Sequence, residues 1–292
     1  MPTEKQPISI DAIDEVQVNV TNYDVAQPRY SGANINAVTK SGTNDFHGSL
    51  SYIYRDADMV GDLNGAAFAG WQDEKTYGGT FGGPLLKDKL FFFLSYEKFE
   101  RTGPGSSNGP AGSGVAIEAD GVSQDEIDEI IDIASTRYGI DAGSLNPPQD
   151  SKTETGDKLV KFDWNIHGDH RLSLRLNETE QSVSIFPNAT SDSRISLSTQ
   201  AYDQVKAFKS QVAQLYSNRA DDFTTEFKVS HRDYESLPIV NARLPQVAVK
   251  VSGPEGDGYV LFGTERFRHA NAHTPRPGTT TVSVRGSWAT TR

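Results

Sequence analysis

Apolar and polar residues alternate with period two along most of this chain. Over 46–55, Phe46, Gly48, Leu50, Tyr52 and Tyr54 oppose His47, Ser49, Ser51, Ile53 and Arg55. Leu172, Leu174 and Leu176 alternate with Arg171, Ser173, Arg175 and Asn177. The same period is legible over 76–82, 157–166, 205–217 and 223–233. A period of two sends the two sets to opposite faces of a sheet, so each run predicts a strand with one apolar face. The stretch 90–99, LFFFLSYEKF, departs from this: five apolar residues precede its polar end. It predicts a strand that is buried on both sides or faces an oily surface.

The connections between these strands differ in length. Those at 83–89, 167–170 and 218–222 are short, and those at 56–75, 101–156 and 178–204 are long. If successive strands are antiparallel neighbours, short turns gather at one end of the sheet and long loops at the other. That is the layout of an outer-membrane β-barrel. A soluble antiparallel sandwich shares the alternation, but loop asymmetry and aromatic strand ends favour the barrel. The expected fold class is all-β, a partial antiparallel transmembrane β-barrel with one short loop helix. The helix begins at Ser123-Gln124-Asp125-Glu126, a capping box. Ile127, Ile130, Ile131 and Ala134 form its apolar stripe, and Gly139 its stop. It reads as a helix packed on its own loop, with a lid over the barrel mouth as the functional alternative.

Composition narrows the function classes. The chain is polar, with 36% hydrophobic residues and mean hydropathy −0.53. Its net charge of −11 argues against a nucleic-acid binder, which needs a basic face. With no cysteine, disulfides and thiolate metal sites are excluded. No run of about 18 apolar residues offers a transmembrane helix. The first residues lack the pattern of a secretory signal, which taken literally reads as cytoplasmic and otherwise as a missing N-terminal segment. No metalloprotease, P-loop or dinucleotide motif occurs. The Gly-x-Ser-x-Gly match at 105–109 lies in a Gly/Pro/Ser-rich stretch without the strand and helix a nucleophile elbow needs. The chain is therefore expected to be no enzyme and to need no cofactor. Asp56, Asp58, Asp62 and Asn64 make an oxygen-rich loop that could hold calcium, but it lacks EF-hand spacing and a solvated loop is the preferred reading.

The segment SGANINAVTKSGTNDFHGSLSYIYR, from Ser31 to Arg55, resembles the plug-to-barrel junction of TonB-dependent outer-membrane receptors, in particular the Oar-like subgroup. The residues that carry the resemblance are Gly32, Asn34, Val38, Thr39, Lys40, Ser41, Gly42, Thr43, Asn44, Phe46, His47 and Gly48. FGGPLLKDKLFFFLSYE is similar to the second and third barrel strands of that subgroup, and ISIDAIDEVQVNVTNYDVAQPRY to the last part of its plug. The resemblance implies a plugged barrel of about 22 strands in the outer membrane, ligand uptake, and coupling to an inner-membrane TonB complex. It divides the chain into the plug end (1–45), N-terminal barrel strands and loops (46–272), and an atypical tail (273–292). With room for about seven to ten strands of this length, the chain is expected to be a fragment. The TonB-coupling segment and the signal peptide would then lie upstream, and the cytoplasmic reading falls away. The tail carries no acidic residue; it reads either as a basic loop and strand or as a frameshifted or truncated end.

The resemblance also implies two environments for the strand at 90–99. Glu97 should not face lipid, so Leu90, Phe92, Leu94 and Tyr96 are assigned to lipid, with Tyr96 near an interface. Phe91, Phe93 and Glu97 then face the plug, which Gly78 and Gly82 on the neighbouring strand would let approach closely. Expected partners are outer-membrane lipid, the TonB complex and an unknown extracellular ligand; no nucleic acid is expected. Ligand specificity would reside in the three long loops. An adhesive or structural outer-membrane surface protein and, below it, a soluble β-sandwich binding module are the alternatives. If the lipid assignment holds, Phe92→Arg costs about 2–4 kcal/mol near the bilayer midplane. Fractionation of the full-length protein should then find less of it in the outer membrane, and parent-like insertion would count against the assignment.

Overall fold

The computed structural model describes residues 8–19, 34–62, 65, 68–145, 150–220, 223–253, 256–266 and 278–288. β1 (Ile13–Asn19) and β2 (Asn34–Thr39) form an antiparallel pair of their own. Next come β3 (His47–Asp56), β4 (Asp73–Leu86) and β5 (Leu90–Pro104). The connection after β5 holds β6 (Asn108–Pro110), β7 (Ile117–Ala119) and helix α1 (Gln124–Tyr138). β8 (Asp150–His167) and β9 (His170–Ile185) form a long hairpin, followed by β10 (Arg194–Ser196). β11 (Tyr202–Ala220) and β12 (Phe223–Val240) form another. β13 (Val247–Gly253), β14 (Gly256–Phe262) and β15 (Thr279–Trp288) complete the described strands.

The main sheet has eight strands in the order β15-β12-β11-β9-β8-β5-β4-β3, all antiparallel neighbours. Chain order and spatial order coincide, which is the meander that antiparallel strands joined by hairpins produce. Short turns close β4–β5 and β8–β9 at one end, while α1 and the small strands crowd the other. Among the described residues the fold is thus an open antiparallel barrel wall with one α-helix. β15 lies within the stretch read as an atypical tail and pairs with β12 from Trp288 opposite Phe223 to Thr279 opposite Arg232. Residues 273–277 and 289–292 of that stretch lie outside the described residues.

The strands are longer than their alternation predicts. β11 reaches 19 residues and β12 18, whereas about ten cross a bilayer. The additional residues lie on the long-loop side, where 150–157, 178–184 and 231–236 are polar on both faces apart from Val183 and Tyr234. Beyond the hydrocarbon the ladder hydrogen bonds persist but no apolar face is required, so period two disappears before the strand ends.

The long connections fold together. Ser123 caps α1: its Oγ accepts from the Glu126 backbone N–H at 3.3 Å, while the Glu126 carboxylate accepts from the Ser123 N–H at 2.8 Å. Gly139 terminates the helix at φ 63°, in the left-handed region. The apolar stripe of α1 does not pack only on its own loop. Ile127 and Ala134 share a buried cluster with Ile195 and Leu197, from the connection after β9, and with Val260 and Phe262 of β14. β14 pairs with β13 on one side and, in parallel, with β10 on the other. No single loop has the apolar area for a core, so three loops build one unit.

That shared core yields a localised prediction. Ile127→Ala removes a fully buried side chain and should destabilise the loop unit by about 2–5 kcal/mol. Hydrogen exchange should speed up in α1 and β14 and stay unchanged in β8 and β9. Uniform loss of protection would contradict an independent loop core.

Candidate functional site

The candidate site is the wall with its two unlike faces. On the outer face, register places Leu90, Trp164, Leu172, Leu215, Phe227 and Val284 in one row across β5, β8, β9, β11, β12 and β15. A second row runs Phe81, Leu94, Val160 and Leu176. Many side chains of this face are exposed, with Leu50 of β3 at 95% and Val284 at 71%. A continuous exposed apolar face of this extent is untenable in water and marks contact with an apolar medium. Phe46, Phe81 and Phe92 cluster at its short-turn end, Phe46 and Phe81 stacked with ring centroids 6.0 Å apart.

The inner face is polar. β5 contributes Phe91, Phe93 and Glu97, β8 Lys161 and Asp163, and β9 Arg171 and Arg175. The N-terminal segment lies against it. Phe93 is fully buried in a cluster with Ala12, Leu159 and Ile8. Ser9 Oγ donates to Glu97 Oε2 at 2.7 Å. Lys161 Nζ donates to the Thr39 carbonyl at 3.1 Å and to Ser41 Oγ at 2.8 Å. Asp163 lies 3.7 Å from Lys161 Nζ and accepts from Arg171 at 3.1 Å, so the cation that holds the segment is itself neutralised.

The junction residues make one connected strip. The Lys40 backbone N–H donates to the Ala12 carbonyl at 2.9 Å, tying the segment after β2 to the start of β1. A Cβ on Gly42 would stand 2.3 Å from the Phe92 carbonyl oxygen, so only glycine lets the chain pass the base of β5. Thr43 Oγ1 donates to the Asp45 carbonyl at 3.0 Å, and His47 Nδ1 lies 3.1 Å from the same oxygen. Asn44 clamps the β4–β5 turn: its Nδ2 donates to Asp88 Oδ1 at 2.6 Å, and its Oδ1 accepts from the Asp88 N–H at 2.8 Å. Asn165 Nδ2 donates to the Asp88 carbonyl at 3.2 Å, which extends the clamp to β8. Phe46 lies over Gly83, and Gly48 over the Thr80 carbonyl. Asn34 is the first residue of β2, and Gly32 lies outside the described residues.

The missing side chains of Gly78 and Gly82 leave room first of all for the adjacent strand β5. A Cβ on Gly78 would meet the Tyr96 carbonyl oxygen at 2.4 Å, and one on Gly82 the Phe93 ring at 3.1 Å. Phe93, seated over Gly82, is what reaches the segment. In the acidic loop, Asp56 is turned to cap a short 3-10 turn, accepting from the Met59 N–H at 3.1 Å. No group of three or more potential metal-ligating side chains occurs among the described residues, and Asn64 lies outside them. The sequence reading missed Lys161 and Asp163. Their signal was a pair of opposite charges two positions apart on the polar face of an alternating strand.

Two likenesses bear on this geometry. Residues 38–113 match the model of an outer membrane beta barrel domain. Over 193 residues the chain is 28% identical to a protein of Myxococcus xanthus named TonB-dependent transporter Oar, covering 61% of this chain and 17% of that protein's length. Together with the antiparallel wall they support an outer-membrane β-barrel family and place the chain in the outer membrane.

The anchoring bonds can be tested. Lys161→Met keeps the apolar stem and removes the donors to Thr39 and Ser41, which should weaken attachment of the β1–β2 pair by about 1–3 kcal/mol. Limited proteolysis should cut 13–39 faster than in the parent while β8 and β9 stay protected. An unchanged cleavage rate would mean that the lysine does not hold the segment.

Proposed function

We propose that this chain is part of a TonB-dependent outer-membrane receptor of the Oar-like type: the end of the plug in 1–45, N-terminal barrel strands and loops in 46–272, and an atypical tail in 273–292. Its activity is ligand binding and energy-coupled uptake, without bond-making chemistry. One observation carries this reading. The N-terminal segment is held on the polar face of the wall by Phe93, Glu97 and Lys161, opposite the apolar face. A plug end inside a barrel would sit in this way. Leu90, Phe92, Leu94 and Tyr96 then face lipid, and Phe91, Phe93 and Glu97 face the lumen. The junction of Lys40, Ser41, Gly42, Thr43, Asn44, Phe46, His47 and Gly48 is the hinge between plug and wall. The partners are outer-membrane lipid, a TonB complex engaged through an upstream segment, and an extracellular ligand met by the long loops. The likeness to the Oar transporter supports the same reading.

A non-transporting surface protein is the second reading, favoured by the loop unit with its own core. The two differ in whether the N-terminal segment responds to energy. The chain has no cysteine, so a cysteine at Ala37, on β2, gives a single label site in it. In the transporter, labelling by a polar maleimide should change by several-fold when cells are uncoupled or lack TonB. Equal labelling in all three conditions would favour the surface protein.

A further inference from the structure

A cavity of about 760 Å³ lies between the β1–β2 pair and the inner face of β8, β9, β11 and β12. Five cations line it: Lys161, Arg171, Arg175, Lys228 and Arg232. Only two carboxylates do, Asp14 from β1 and Asp163 from β8. Asp163 is already engaged by Lys161 and Arg171. The nearby Glu226 accepts from Gln214 Nε2 at 2.6 Å. Among the described residues no carboxylate lies within ion-pair distance of Arg175, Lys228 or Arg232. In a chain of net charge −11 this local excess of positive charge runs against the bulk composition.

Register makes the three cations converge. Arg175 stands opposite Val212, and Val212 opposite Ser230. Lys228 and Arg232 flank Ser230 two positions away on either side, so all three share the inner face. Neighbouring strands lie about 4.8 Å apart, and Val212 is too short to separate side chains of this reach. Three like charges gathered around one small apolar residue repel each other, and the repulsion is relieved by an anion between them. Arginine favours oxyanions that can accept two parallel N–H bonds, such as phosphate and carboxylate. Rings of such cations are the means by which pores select anions. The cavity volume falls in the range of small-molecule sites.

We propose that this cavity binds an oxyanion group, phosphate or carboxylate, of a solute that enters the lumen. The assignment rests on the polar face being the lumen side, but binding itself requires no energy coupling. Titration calorimetry on the protein extracted from outer membranes in detergent, with inorganic phosphate in one arm and citrate in the other, separates the two oxyanion classes. Saturable binding of at least one is expected, with affinity falling about tenfold in Arg175→Gln and in Arg232→Gln. Lys209→Gln, on the outer face, should bind as the parent does. Phenylglyoxal labelling of Arg175 and Arg232 in the unmodified protein should slow in the presence of the bound anion, which guards against variants that misfold. Absence of saturable heat with both anions, parent-like affinity in both arginine variants, or labelling indifferent to the anion would overturn the proposal. A protein that binds the anion but labels identically in energised and uncoupled cells would retain this site and lose the transport reading.

Discussion

Each strand of the wall must satisfy two media with one backbone. In a bilayer no water is available to hydrogen-bond a free N–H or C=O, so the backbone must be paired along the ladder. Pairing fixes the strand, and the strand fixes the alternation: whatever faces lipid at one position faces the interior at the next. The row from Leu90 to Val284 and the array Lys161, Asp163, Arg171 and Arg175 are consequences of one register. A slip of one residue between β8 and β9 would bring Arg175 to lipid and Leu174 to the interior. The hydrophobic contrast between faces therefore locks the register that builds the polar side.

The polar side in turn fixes the N-terminal segment. Phe93 supplies apolar contact with Ala12 and Ile8, and Lys161 supplies direction by reaching the Thr39 carbonyl. A lysine this enclosed would be costly without a counter-charge, and Asp163 provides it within the same strand. The arrangement is local: two residues at spacing two on β8, plus Arg171 from β9. Among the described residues no carboxylate makes an ion pair with Arg175, Lys228 or Arg232, so the electrostatics of this face divide into a paired part under β2 and an unpaired part beyond it.

How much of this was legible in the sequence follows from the same physics. The strands through the apolar band, such as 171–177, announced themselves because two media impose period two. Their polar extensions did not, since 231–236 lies where neither face is oily. The capping box at Ser123 located α1 because caps are local chemistry. The packing of Ile127 against Val260 was illegible: it joins loops separated by two hairpins, and no local pattern encodes that proximity. The glycines show a third kind of limit. Gly78 and Gly82 were legible as sites of close approach, but which neighbour approaches depends on pairing geometry. Lys161 and Asp163 were visible as charges, while their role required knowing that Thr39 passes overhead.

The edges of the sheet carry the last constraint. Among the described residues β3 and β15 each pair on one side only. In water such edges invite pairing with another chain. In hydrocarbon they are worse, because each unpaired N–H and C=O stays unsatisfied at a cost of several kcal/mol. Leu50 on β3 and Val282 and Val284 on β15 are among the exposed apolar residues of the outer face. These edge strands therefore sit at bilayer depth, where they cannot remain open. Within the membrane such edges are satisfied only by closure of the sheet. Closure also makes the inner face an interior, converting the cations around Val212 from a surface patch into the lining of an enclosed space.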